Sequence, residues 1–249
     1  MTKWPKLPLW ADMNQWLMVS PLNLMTLPPK QRWLFITVFA TAMGYLEAAG
    51  GFYLRWMFNR MHPYQADPLP NFAGLAVPEI AREAATMIML CTVGVLTGLT
   101  WRGRIAFMLF AFGVWDVAYY LFLIPLTAWP SSILDWDILF LIPLPWWGPV
   151  LAPVSIACLM IAFGVLATVL EQAETPIWPG RASGLACAGG IGLALYTFMA
   201  DAIAAIPQGP EVIRSVLPTF FNWPLFGLAW LLMAAPVLDM ARQLATRYK

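Results

Sequence analysis

Six stretches of about twenty mostly apolar residues succeed one another along the chain, long enough to cross a bilayer as helices. The breaks between them are short and rich in proline, and they hold most of the charge. A water-soluble domain carries about 25% charged residues. This chain of 249 residues has 11%, with 61% hydrophobic, too few charges to cover a soluble surface. The expected fold is all-α: a polytopic transmembrane helical bundle with spans near 33–54, 79–99, 105–125, 150–170, 183–206 and 217–238. The lipid bilayer is its first partner.

The breaks refine the picture. Residues 1–32 read as a cytoplasmic N-terminal segment. It lacks the continuous apolar core of a signal peptide, and residues 12–19 suit an interfacial helix with Trp10, Trp16 and Leu17 in the headgroups. Residues 33–238 form the bundle, and 239–249 a cytoplasmic tail. Between the third and fourth spans, Pro143, Pro145 and Pro149 forbid regular helix, since proline removes a hydrogen bond and clashes with the preceding turn. Residues 131–142 are expected as a short interfacial or re-entrant helix, with PWWGPV as a rigid corner after it. If residues 138–147 crossed the membrane instead, there would be seven spans.

Lysine and arginine in the flanks set the orientation. With six spans and the N-terminus inside, ten of the fourteen bases fall on the cytoplasmic side. Only Arg55, Arg60, Arg82 and Arg214 fall outside. Both termini are therefore expected in the cytoplasm, in a bacterial inner membrane. Seven spans would place one end's charges on the wrong side, which favours six.

The same topology places nine of the thirteen acids outside, a skew that the insertion rule does not produce. By the helical rise, Glu47, Glu83, Asp116 and Asp201 lie about 10, 6, 13 and 7 Å below the outer ends of their spans. A charge at mid-bilayer costs about 2.5–3.5 kcal/mol, so four carboxylates in one layer point to a shared polar cavity. Glu79 and Glu83 share a helical face, with Arg82 in reach of Glu79, and Asp116 and Tyr120 are likewise four apart. Tyr45, Tyr53 and Tyr119 offer further hydroxyls. Gly44, Ala48 and Gly51 leave a smooth strip for a neighbouring helix. Asp135 and Asp137 are a further candidate pair supporting the pocket.

Three functional readings stay open. The first is a cation-binding pocket, for a proton or a divalent metal, extending to transport; Glu47, Glu83, Asp116 and His62 are the candidate metal ligands. The second is a membrane enzyme or redox-complex subunit facing the periplasm, binding quinone or lipid, with other membrane subunits as partners. The third is an ion-pair network with no chemistry.

Several classes are excluded. With His62 the only histidine, a haem held by two histidines cannot be built within the chain. No c-type haem motif, P-loop or dinucleotide fingerprint occurs, and a net charge of +1 offers nothing to nucleic acid. Cys91, Cys158 and Cys187 lie apart in apolar segments and read as packing residues.

The strings FGVWDVAYYLFL and WPSSILDWDILFLIPLPWWGPVLAPV, with a weaker echo at AREAATMIML, resemble an uncharacterised family of bacterial multi-spanning inner-membrane proteins. That resemblance centres on residues 110–155 and implies a polytopic membrane protein. It brings no activity, cofactor or site residue.

Overall fold

The computed structural model describes residues 29–64, 76–141, 143–169, 171 and 177–247. The expected interfacial helix at 12–19, and with it Asp67 and Glu174, lie outside the described residues.

Six long helices form the protein: α1 (Pro29–Met57), α2 (Ala76–Thr97), α3 (Trp101–Thr127), α4 (Leu151–Val169), α5 (Arg181–Ala205) and α7 (Trp223–Arg247). Between α3 and α4 lie two strands, β1 (Trp136–Phe140) and β2 (Trp146–Pro149); between α5 and α7 lies a short helix, α6 (Pro210–Ser215). All six long helices have the length and apolarity to cross a membrane. Leu46 of α1, Ile88 of α2, Leu185 of α5 and Leu231 of α7 are each more than 60% exposed. Such a girdle of large apolar side chains requires lipid around it. The chain is an integral membrane protein.

The central helix is α3, which packs on α1, α2 and α4; α4 leads on to α7, and α7 packs on α5. Inside a bilayer apolar burial does not drive helices together, so close van der Waals fit must. The sequence supplies it with small residues. A Cβ on Gly113 would sit 2.5 Å from the Ala157 carbonyl, and one on Gly164 would sit 2.6 Å from the Phe110 Cβ, so α3 and α4 approach through their glycines. The Gly44–Ala48 strip of α1 receives α3 in the same way.

An even number of spans leaves the start of α1 and the end of α7 at one end of the bundle, called here the tail end. The segment after α3 lies at the other, the hairpin end. Here two expectations are corrected. Residues 131–141 do not form a helix. The run WDILF is rich in aromatic and β-branched residues, which favour a strand, and pairs antiparallel with WWGP. Trp136 faces Pro149, and Asp137 faces Gly148, with an irregularity between Ile138 and Phe140. The prolines at 143 and 145 form the tip. Residues 138–141 and 143–147 therefore belong to a hairpin and not to a seventh span. The last span also starts later, at Trp223, because Pro218 and Pro224 delay it. Asn222 caps α7, its Oδ1 accepting from the Leu225 N–H at 3.1 Å. The helix then runs past residue 238 to Arg247.

Candidate functional site

Below the hairpin a cavity of about 1130 Å³ separates α1 and α2 from α5, with α3 and α4 behind. Its polar end collects side chains from four elements. Glu47 comes from α1, with Arg55 near that helix's end. Glu79, Arg82 and Glu83 come from one face of α2, and Asp116, Tyr119 and Tyr120 from α3. Asp137 comes down from β1. Its other end is apolar, with Met87 and Phe112 facing Ile156, Met160, Leu195 and Phe198. The flanking helices α2 and α5 each pack elsewhere, on α3 and α7 respectively.

Charges at the polar end are partly neutralised. Arg82 forms ion pairs with both Glu47 and Glu79, and its Nε donates to both Glu79 oxygens at 3.0 Å. Thr86 donates to Glu47 at 3.3 Å. Arg55 reaches Asp137 at 3.4 Å while stacking over the Trp129 ring, 4.3 Å from its centroid. The Tyr120 hydroxyl donates to the second Asp137 oxygen at 3.1 Å.

Two carboxylates stand apart from these pairs. Among the described residues Glu83 accepts only a long bond, 3.5 Å, from the Leu141 N–H of the hairpin. Asp116 lines the cavity with no hydrogen bond or ion pair among the described residues, and the nearby Asp137 charge repels its own. Trp115 and Trp146 also line the cavity, but their indole nitrogens are covered by the protein and have no acceptor among the described residues.

Seven of the nine pocket residues read from the sequence thus meet in one cavity: Glu47, Glu79, Arg82, Glu83, Asp116, Tyr120 and Asp137. The other two do not line it. Asp201 accepts from Thr219, at 2.7 Å from the hydroxyl and 3.3 Å from the N–H, and so ties α5 to the segment before α7. Asp135 closes the turn before β1 by accepting from Ser131 N–H, Ser131 Oγ and Ser132 N–H. Burial nudges the Asp135 carboxyl up, but these bonds, helped by the neighbouring His62, hold it below its ordinary value.

His62 is exposed and does not line the cavity. Among the described residues no three of His, Cys, Asp and Glu are grouped to hold a metal ion, so Glu47, Glu83, Asp116 and His62 form no such set. Tyr45 and Tyr53 point outward, 47% and 65% exposed.

Sequence reasoning missed the Arg55–Asp137 pair, 82 residues apart, and the unpartnered indoles. The run PWWGPV, which the structure shows as strand β2 and not as a rigid corner, held the second signal. Trp146 turns to the cavity, while Trp147 is buried and donates to the Val216 carbonyl at 3.0 Å.

Asp137 lies outside the spans and makes a prediction possible. Burial pushes its carboxyl up from 3.8 to about 6, against the pull of the Arg55 charge, the Tyr120 hydroxyl and the Ile138 N–H. Desolvation outweighs the ion pair. The folded state therefore holds this proton more tightly than the unfolded chain. Its stabilising effect is complete below about pH 4 and is lost as the pH rises to about 6, a difference of about 3 kcal/mol. Amide hydrogen exchange in the hairpin, corrected for intrinsic rates, should show more protection at low pH. Asp137→Asn should abolish that difference.

Comparison with family models, with curated proteins and with solved structures finds no match to this chain.

Proposed function

We propose that the protein binds an amphipathic small molecule in this cavity, in a bacterial inner membrane, with both termini in the cytoplasm and the hairpin end facing outward. One observation carries the reading. A single cavity of about 1130 Å³ is lined by several carboxylates and by a large set of apolar side chains, among them Met87, Phe112, Met160 and Leu195. Sites for drug-sized ligands run to about 300–1,000 Å³, so a lipid-like molecule has room.

The ion-pair network accounts for Glu47, Glu79, Arg82, Arg55 and Asp137. It does not account for Asp116, for Glu83, or for the volume between the helices. Proton binding is the second reading, favoured by those same two carboxylates, which form no ion pair among the described residues. A divalent metal has less in its favour, given the scattered ligands. Passage through the membrane is disfavoured by the tail half. There Arg32, Thr97, Thr168 and Glu171 are buried among packed side chains, and none of them lines the cavity.

Mass spectrometry of organic extracts tests the proposal. Protein purified in mild detergent should carry close to one amphiphile per chain, enriched over bulk lipid. Leu195→Trp adds an indole on the cavity wall and should lower that occupancy at least tenfold, roughly what 1.4 kcal/mol of lost binding produces. Extracts of both proteins matching bulk lipid alone would overturn the reading.

A further inference from the structure

We propose that the occupant of the cavity is an organic cation, an ammonium head carried on an apolar body. This rests on the amphiphile-binding reading and adds the charge of the head.

Charge balance is the first ground. Five carboxylates line the cavity, Glu47, Glu79, Glu83, Asp116 and Asp137, against three guanidinium groups, Arg55, Arg60 and Arg82. All three guanidinium groups are engaged. Arg82 is shared by Glu47 and Glu79, Arg55 pairs with Asp137, and Arg60 donates to the Pro63 carbonyl at 3.2 Å. Glu83 and Asp116 are left without an ion pair among the described residues. Glu83 is only 8% exposed, and Asp116 lies well inside the apolar helix α3. Carboxylates so placed are costly to leave uncompensated.

Aromatic surface is the second ground. Phe112, Tyr119 and Trp146 line the cavity and are only half-buried. The face of an aromatic ring attracts a cation, and quaternary ammonium groups are recognised in this way. The attraction uses ring surface and asks nothing of the covered indole nitrogens. The chain already employs it nearby, where Arg55 stacks over Trp129.

The facing wall supplies the rest. The lining residues of α4 and α5, such as Ile156, Met160, Ile191 and Leu195, are all apolar. A bare inorganic cation would leave that wall uncovered, so the charge must be carried on hydrocarbon. Other heads fit less well. An anionic head adds to the negative excess, and a neutral one leaves both carboxylates as they are. A zwitterionic head brings its own anion to guanidinium groups that are already bonded.

The test compares four amphiphiles with one chain and different heads: dodecyltrimethylammonium, dodecylphosphocholine, dodecanoate and dodecanol. With Cys91, Cys158 and Cys187 replaced by alanine, Leu195→Cys places a thiol on the apolar wall and keeps every carboxylate. Each amphiphile is titrated against the rate of its reaction with uncharged N-ethylmaleimide, in the full chain in nanodiscs. Saturable protection by the ammonium is expected at roughly tenfold lower concentration than by any other head, a modest share of the attraction between close charges in a medium of low dielectric. Adding Asp116→Asn or Glu83→Gln should erase most of that advantage and leave dodecanol unchanged. The head series stands by itself if either variant fails to fold. Equal protection by all four heads, the result if both carboxyl groups are simply protonated, would overturn the cation assignment and leave the amphiphile reading standing. A series led by another head would do the same. Saturable protection by none would overturn both.

Discussion

Replacing Arg32 by methionine is expected to destabilise the protein by about 3–5 kcal/mol, the usual result of removing one partner of a buried ion pair. Arg32 is 0% exposed, and its Nη1 donates to Glu171 at 2.9 Å and to the Thr97 carbonyl at 3.2 Å. Glu171 in turn receives the Leu99 and Thr100 N–H groups at 2.8 and 3.0 Å, at the start of α3. One carboxylate thus holds α1, the α2–α3 turn and the end of α4 together. It sits where the α3 dipole favours an anion. Arg32 lies in the first turns of α1, where that helix's own dipole is unfavourable to a cation, and only the pairing offsets this. Without the arginine, Glu171 stays buried and uncompensated. Adding Glu171→Gln should restore much of the loss, because an amide oxygen still accepts from Leu99 and Thr100 without the charge. Thermal unfolding in detergent, followed by intrinsic fluorescence, measures both. A single variant as stable as the parent would mean that the pair is solvated.

Arg82→Met is expected to have the second largest effect, and one that depends on pH. Arg82 is the cation between Glu47 and Glu79, and Glu83 follows it on α2. Its removal leaves like charges from two helices facing one another in a space bounded by hydrocarbon. The side chain is 34% exposed, so water screens part of the cost. A loss of about 1–3 kcal/mol follows, below the value for a fully buried pair. Protonation of the abandoned carboxylates removes the repulsion, so the deficit should shrink in acid. Glu47→Gln should rescue the variant at neutral pH, whereas Asp201→Asn, whose carboxylate bonds Thr219 instead, should not. Equal deficits at acid and neutral pH would show that Arg82 acts through packing alone.

Run length made the bundle legible: an apolar stretch of about twenty residues has few fates other than a span. The hairpin was not legible, because five residues of alternating character between prolines are too few to outweigh a reading by caps and prolines. For the site, local spacing succeeded where depth alone did not. Glu79, Arg82 and Glu83 lie three and four apart and reach the cavity from one face, and so do Asp116 and Tyr120. Asp201 lies in the same layer by helical rise, but rise fixes height and says nothing of azimuth. Its side chain turns to Thr219. The Arg55–Asp137 and Arg32–Glu171 pairs join residues 82 and 139 apart in sequence, and no local pattern marks such partners.

Carboxylates from three separate helices, Glu47, Glu83 and Asp116, line one common cavity below the hairpin. Thiol chemistry tests it most directly. In a background with Cys91, Cys158 and Cys187 replaced by alanine, Glu83→Cys and Asp116→Cys are introduced one at a time. Each is exposed in nanodiscs to a small, membrane-impermeant methanethiosulfonate. Both thiols are expected to react, and one amphiphile, dodecyltrimethylammonium, is expected to protect both with the same concentration dependence. Reaction at one position only, or protection of one without the other, would contradict a shared chamber.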